Sequence, residues 1–430
     1  MPDGAATAHL YRPKLATVIA EGYRLAMFRS DVLAALTVAI VALPLSMAIA
    51  VASGVSPERG LYTSIVGGFI VSGLGGSRFQ IGGPAGAFIV LVAATVDKFG
   101  LDGLLLTVII SGALLTLIGL LGLGRLIRHI PHAVTVGFTT GIAVTIAASQ
   151  LKDLFGLALP HEPGPLLPKL MAIVASLPSF SLPTLAVGLA TAAFIFAVRR
   201  ARPDWPAMLM AVVAASALVA ALGLPVATIG TRFGAVPSGM PAPHVPSVSL
   251  AQILAVLPAA LSFTLLGGVE SLLSAKVADG MTGRKHRSNM ELVAQGLANI
   301  ASALFGGICV TGTIARTATN IRAGARSPVS GMMHSAFLLA FMLVAAPLAS
   351  YVPLSALAGV LVVVCWNMAE KREFAALLRD WRPAIVLLTT FGLTLAKDLT
   401  FGIVAGCLVA AALAMTRQGV AEEGDGTGPS

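Results

Sequence analysis

From Asp31 onward the chain is a succession of long apolar runs divided by short polar clusters, and that alternation admits few folds. Residues 32–52 carry no charge at all, and a bilayer core about 30 Å thick needs roughly 20 such residues per spanning helix. Only 11% of all residues are charged, against roughly 25% in soluble domains, too few to coat a water-facing surface. A water-soluble globular protein, a disordered chain and a nucleic-acid binder are therefore excluded. The net charge of +9 does not reopen the last of these, because the basic residues sit in clusters between apolar runs, as membrane topology requires. The sequence reads as an all-α polytopic membrane protein whose solvent is the lipid bilayer.

Pro, Gly and charge clusters divide the chain into fourteen predicted transmembrane segments. The first seven lie near 31–52, 60–75, 84–97, 101–121, 133–151, 183–199 and 206–223. The second seven lie near 252–275, 289–305, 312–323, 329–346, 354–368, 383–396 and 399–416. With the N-terminus inside, 20 of the 28 basic residues fall on the cytoplasmic side and six on the outer side, including Lys169. Arg125 and Arg128 belong to one cytoplasmic loop, and Arg78 and Arg316 lie in or beside the third and tenth segments. This bias puts both termini in the cytoplasm and the protein in the inner (plasma) membrane. Residues 1–30 lack the apolar core of a signal peptide; 11–28 reads as an amphipathic helix on the membrane face.

The third and tenth segments are short and interrupted. Gly82-Gly83-Pro84 leads into one, and Gly306-Gly307 followed by Ile308-Cys309-Val310-Thr311-Gly312 leads into the other. Each reads as a short β-capable stretch before a helix start, third of seven in both halves. Paired broken segments at matching positions point to an inverted-repeat transporter with a midplane site; glycines that merely allow close helix packing are the alternative. Two helices starting at membrane depth would aim free N–H groups and positive dipole ends at one space, which suits an anion. The candidate donors are Ala85, Gly86, Ala87 and Phe88 on the third helix and Thr313, Ile314 and Ala315 on the tenth. Gly86, in the first turn, is the position where close approach of a ligand or of the tenth helix is expected.

Two charges lie within apolar segments, and intramembrane charges are functional candidates. Arg316, in the tenth segment, is a candidate anion ligand, or else part of a structural ion pair. Glu270, in the eighth, is a candidate proton or sodium coupling group, or else the structural partner of Arg316. Nothing else inside the spans titrates comparably, and Glu291, at the start of the ninth, is expected to face the headgroups. Pro44 breaks the first span and frees backbone carbonyls, so Ser46 is a candidate ligand contact, or the motif is a simple kink. The histidines considered (His129, His132, His286) sit in loops or near interfaces, and Cys309, Cys365 and Cys407 show no ligand spacing, so no metal site or cofactor is expected. No Gly-x-Ser-x-Gly, P-loop or paired His appears, so no enzyme is expected.

The run 279–289, continuing through Glu291-Leu292-Val293-Ala294-Gln295-Gly296 and Leu304-Phe305-Gly306-Gly307, resembles the SulP (sulfate permease) family. Ile314-Ala315-Arg316-Thr317-Ala318-Thr319-Asn320, Gly324-Ala325-Arg326-Ser327-Pro328, Gly60-Leu61-Tyr62 and Gly82-Gly83-Pro84 extend the match over roughly 30–415. The resemblance implies a seven-plus-seven inverted repeat with core and gate domains, the core taking the first four helices of each half. Substrate would sit between the third and tenth helix starts, against the first and eighth helices, with Glu270 at the family's acidic position and Arg316 at a basic one. Leu43-Pro44-Leu45-Ser46 and Ile308-Cys309-Val310-Thr311-Gly312 depart from common family patterns at the pocket, so substrate identity does not carry over. Most members continue into a cytoplasmic STAS domain, whereas this sequence ends in a polar tail, so either no such domain is expected here or the sequence stops short of it.

The organisation expected is an N-terminal cytoplasmic or interfacial segment (1–30), a first repeat (31–223), an extracellular loop (224–251), a second repeat (252–416) and a disordered cytoplasmic tail (417–430). The function expected is proton-coupled uptake of a small anion (sulfate, a dicarboxylate such as fumarate or succinate, or bicarbonate), by a homodimer. Sodium-coupled bicarbonate transport, a nucleobase-type transporter and an anion channel are the alternatives.

Overall fold

The computed structural model describes residues 11–124, 131–159, 163, 166–203, 205–246, 248–397 and 399–424. Arg125, Arg128 and His129, and residues 425–430 of the tail, lie outside the described residues. In chain order the helices are α1 (Lys14–Ala20), α2 (Leu25–Ala52), α3 (Pro57–Tyr62), α4 (Gly68–Leu74), α5 (Ile89–Leu120) and α6 (His132–Phe155). Next come α7 (Leu166–Ala175), α8 (Leu182–Ala201), α9 (Ala207–Leu222), α10 (Ile229–Phe233), α11 (Leu250–Thr282) and α12 (Ser288–Leu304). The last are α13 (Ile314–Arg322), α14 (Val329–Ala349), α15 (Leu354–Met368), α16 (Lys371–Leu377), α17 (Trp381–Ala396) and α18 (Leu399–Gly424). Seven described helices are long and apolar enough to cross a membrane, and four shorter apolar helices accompany them.

Local chemistry sets these boundaries. Ser249 caps α11 in a reciprocal box with Gln252, each side chain bonding the other's backbone N–H, which satisfies donors a helix start leaves free. Glycines in the left-handed region end α6, α9 and α11 at Gly156, Gly223 and Gly283, where a side chain would be strained.

The predicted segments coincide with helices, the second excepted. The third and fourth are the two arms of α5: a 3-10 turn (Gly86–Phe88) feeds the first, and Gly100, with non-helical φ 68° and ψ -172°, kinks the chain and divides it from the second. The second is split by a π turn, Thr63–Gly67, between α3 and α4. The described part of the predicted tail is helical. α18 runs to Gly424, because Ala, Arg and Glu are good helix formers and no proline intervenes before Pro429.

The two β-capable stretches do pair. Strands β1 (Gly82–Gly83) and β2 (Thr311–Gly312) lie antiparallel, Gly82 opposite Gly312 and Gly83 opposite Thr311. Around them pack α2 to α5 and α11 to α14, with α5 against α12 and α14 against α2 as major contacts. A second group forms around α6, α8, α15, α17 and α18, and α9 joins α8. The groups touch chiefly where α15 and α9 meet α2.

At the end of the molecule holding α1, Arg78 is buried and ion-paired with Glu21, and Arg287 donates to Arg12 O and Thr17 Oγ1. The Arg78 guanidinium, hydrogen-bonded to the Glu21 carboxylate, holds that carboxyl below its ordinary range. These bonds fasten α1 to the base of α4 and α12. Lys169, counted among the outer-side residues, is buried on α7 and bonded to Ser149 Oγ of α6.

Candidate functional site

The broken backbone needs partners, since peptide groups buried without them are costly. One face of α12 supplies them. Glu291, Gln295, Asn299 and Ser302 recur at helical spacing. Asn299 clamps Val310, donating to its carbonyl at 2.8 Å and accepting from its N–H at 3.0 Å. Gln295 also donates to Val310 O, and Ser302 to Ile308 O at 2.7 Å. Glu291 does not face the headgroups: it is fully buried, accepting from Gln80 Nε2 at 2.8 Å and from the Ser77 N–H at 2.9 Å. The expectation failed because a charge at a segment edge looks solvated unless its buried donors are known.

Removing that carboxylate strands two donors. Glu291→Ala is expected to cost about 2–4 kcal/mol, since each unsatisfied buried group costs about 1–3 kcal/mol. Denaturant or thermal unfolding of the purified variant measures this; a melting temperature equal to wild type would show the network to be dispensable.

The helix starts differ in detail from the donors predicted. Phe88 N–H is spent inside the 3-10 turn on Ala85 O, and Thr313 N–H on Ile81 O, both at 3.1 Å. Neither is free, because a 3-10 turn closes one residue sooner than an α turn and Thr313 continues the strand pairing. The N–H groups of Ala85, Gly86, Ala87, Ile314 and Ala315 have no acceptor among the described residues. The Phe88 side chain packs tilted against Phe263 of α11, centroids 5.5 Å apart. The tenth helix does not approach Gly86: a Cβ there would meet only Ile146 Cδ1 of α6, at 3.6 Å.

Gly83 is the point of close approach. A Cβ on it would stand 2.0 Å from Arg316 Nη1, so only glycine lets the guanidinium lie against β1. Arg316 is 2% exposed. Its Nη1 donates to Ser64 Oγ (3.1 Å), and its Nη2 to Ser46 Oγ (3.1 Å) and Pro84 O (3.4 Å). Ser46 and Ser64 lie 2.9 Å apart, and Ser46 donates to Ala42 O. Arg316 Nε has no partner, and no carboxylate pairs with Arg316 among the described residues. The site thus brings Ser46, Gly83, Pro84 and Arg316 together, with Ser64 from the π turn, a feature often found at functional sites.

Glu270 does not pair with Arg316, so the structural ion pair is not formed. Its Oε2 is buried without a partner, one helical turn beyond Gly267, whose carbonyl accepts from Thr311 Oγ1.

Sequence reading missed two groups. Ser64 had no distinguishing signal. His334 did: like Glu270 and Arg316 it is a lone titratable residue in an apolar run, contrary to the expectation that none other exists. It is fully buried on α14, and neither ring nitrogen has a partner. Ser330 donates to Asn320 of α13; one turn on from Ser330 and one turn back from Asn320 bring His334 within electrostatic reach of Arg316.

Comparison with known proteins agrees with this architecture. The chain is 43% identical over 393 residues to the putative sulfate transporter YvdB of Bacillus subtilis, covering 91% of this chain and 74% of that one. It is 30% identical over 404 residues to the bicarbonate transporter BicA of Picosynechococcus, covering 90% and 70%. The transmembrane domain of a cyanobacterial BicA superposes with a TM-score of 0.78 at 27% identity, over 90% of this chain and 98% of that one. The murine anion transporter Slc26a9 shares the fold, with a TM-score of 0.86 at 18% identity over 97% and 73%. A model of the sulfate permease family matches residues 28–390. With its broken helices, a buried arginine that no carboxylate pairs among the described residues, and these relatives, the chain is a multi-pass membrane protein, an anion transporter rather than an enzyme, and belongs to the sulfate permease family.

Proposed function

We propose that this protein is a secondary active transporter that takes up sulfate, a dicarboxylate such as fumarate or succinate, or bicarbonate, coupled to protons. It acts across the plasma membrane with both termini in the cytoplasm, through fourteen spans in a seven-plus-seven inverted repeat. The group around β1 and β2 serves as the core and the group around α6 and α15 as the gate. The observation that carries this reading is Arg316, a buried guanidinium without a counter-ion between two helix starts. Ser46, Arg316 and the free N–H groups of Ala85, Gly86, Ala87, Ile314 and Ala315 bind the anion, and Phe88 supports the third helix from behind.

A lone cation favours anions over neutral nucleobases, and saturable flux separates a carrier from a channel. Sodium-coupled bicarbonate uptake is the second reading, favoured by the BicA relatives. Uptake of a substrate panel into proteoliposomes, with proton and sodium gradients imposed separately, tests both. Absence of saturable anion uptake under either gradient would overturn the proposal.

Glu270 is the proposed coupling group, because its buried Oε2 lacks a partner that a proton or sodium ion would supply. Glu270→Gln is expected to abolish gradient-driven accumulation, a loss of at least about tenfold, while passive exchange persists. Accumulation at the wild-type level would place coupling elsewhere.

A further inference from the structure

A second site lies apart from Arg316, at the end of α11 near α1. Gly283 ends that helix in the left-handed region, its N–H bonding Asp279 O at 2.8 Å, and the chain folds back. Asp279 then pins the returning loop: its Oδ2 accepts from His286 N at 3.1 Å and bonds His286 Nδ1 at 2.7 Å. His286 Nε2 in turn meets Ser288 Oγ at 3.0 Å. Helix and loop enclose a cavity of about 590 Å³. Its inner wall is apolar, from Val269, Leu272 and Leu273, and its outer part carries Lys276, Arg284 and Lys285.

The charge of this cavity is uncompensated. Asp279 is the only carboxylate that lines it among the described residues, and it is engaged with His286. The exposed side chains of Lys276, Arg284 and Lys285 make no hydrogen bond or ion pair among the described residues. Arg284 also lies within electrostatic reach of Glu21, whose carboxylate is held by Arg78. Neighbouring Arg78 and Arg287, by contrast, are bonded into the fold, through Arg78 Nη2 and Arg287 Nη1. The apolar wall runs back along α11 from Leu273 to Val269, away from the cations, where lipid chains would lie.

We infer that this cavity binds the headgroup of an anionic phospholipid, its phosphate between Lys276, Arg284 and Lys285 and its acyl chains along α11. Three cations above an apolar wall at the membrane surface match a phosphate attached to hydrocarbon better than a free ion, because a soluble anion would leave the wall unused. The bound lipid would brace the turn between α11 and α12, and with it the Glu291 network behind the strands. This site is independent of the transported species.

Native mass spectrometry of the purified full chain tests the assignment, with phosphatidylglycerol, phosphatidylethanolamine and inorganic phosphate as probes. Wild type should retain phosphatidylglycerol in preference to phosphatidylethanolamine. Lys276→Gln should reduce that preference about fivefold, the effect of one cation near a membrane surface. The triple variant Lys276→Gln, Arg284→Gln, Lys285→Gln should lose it, with melting temperature as the check on folding. Should the triple variant misfold, Lys276→Gln alone decides, since its side chain makes no bond to lose. Equal lipid preference in wild type and Lys276→Gln would overturn the inference. So would retention of inorganic phosphate with no preference between the lipids, which would make the ligand a soluble anion.

Discussion

Arg316→Ala is expected to weaken anion binding by at least about 100-fold while leaving the protein folded. Hydrogen bonds to charged groups contribute about 1.5–3 kcal/mol each, and losing two directed at an anion removes about 3 kcal/mol or more, roughly two decades in affinity. The fold should tolerate the loss, because no carboxylate is left behind. Ser46 keeps its bonds to Ala42 O and Ser64; the two serine hydroxyls give up the guanidinium donor but stay bonded to each other, and Pro84 O loses a long contact. Removing half of a buried ion pair would instead cost about 3–5 kcal/mol of stability, so the two accounts of Arg316 predict opposite melting behaviour. Arg316→Lys should recover little, since an ammonium cannot bridge Ser46, Ser64 and an anion as a planar fork does. Calorimetric titration with sulfate and a melting curve on the same sample read both quantities. Unchanged affinity in the alanine variant would remove Arg316 from the site.

How much of this site was legible beforehand depended on the kind of signal. Gly and Pro at 82–84 and 306–312 announced the breaks, because few other residues tolerate such backbone at membrane depth, and the short strands expected there are β1 and β2, whose pairing with each other was not foreseen. Arg316 and Glu270 were legible as charges where charges are expensive. His334 obeyed the same rule and was overlooked. The partners were not legible: Ser64 meets Arg316 across 252 residues of sequence, and no local pattern encodes that meeting. Glu291 was misread for the opposite reason, since segment-edge position suggested water while Gln80 and Ser77 bury it. The junction at Gly100 was legible as a gap between two segments, and there a single glycine in the left-handed region ends one helix and starts the next.

Gly83→Ala should reduce transport about 100-fold with a melting shift of only a few degrees, whereas Gly86→Ala should transport almost normally. These residues lie three apart in the same glycine-rich approach, yet their surroundings differ. An added methyl at Gly83 would fall 2.0 Å from Arg316 Nη1, 3.0 Å from Cζ and 3.0 Å from Ser64 Oγ. The backbone cannot easily yield, because Gly83 is paired with Thr311 in the strand register. The guanidinium must move instead, giving up its bonds to Ser46 and Ser64, and a displacement near 1 Å at a positioned group costs about two decades in rate. At Gly86 the methyl would meet only Ile146 Cδ1 at 3.6 Å, ordinary contact that also supports the first turn, since alanine is about 1 kcal/mol better than glycine in a helix. Uptake and melting temperature measured on both variants separate the cases. Wild-type uptake by Gly83→Ala would mean that the guanidinium does not need its place against β1 to handle the anion. Equal losses at both positions would point to general packing of the strand approach.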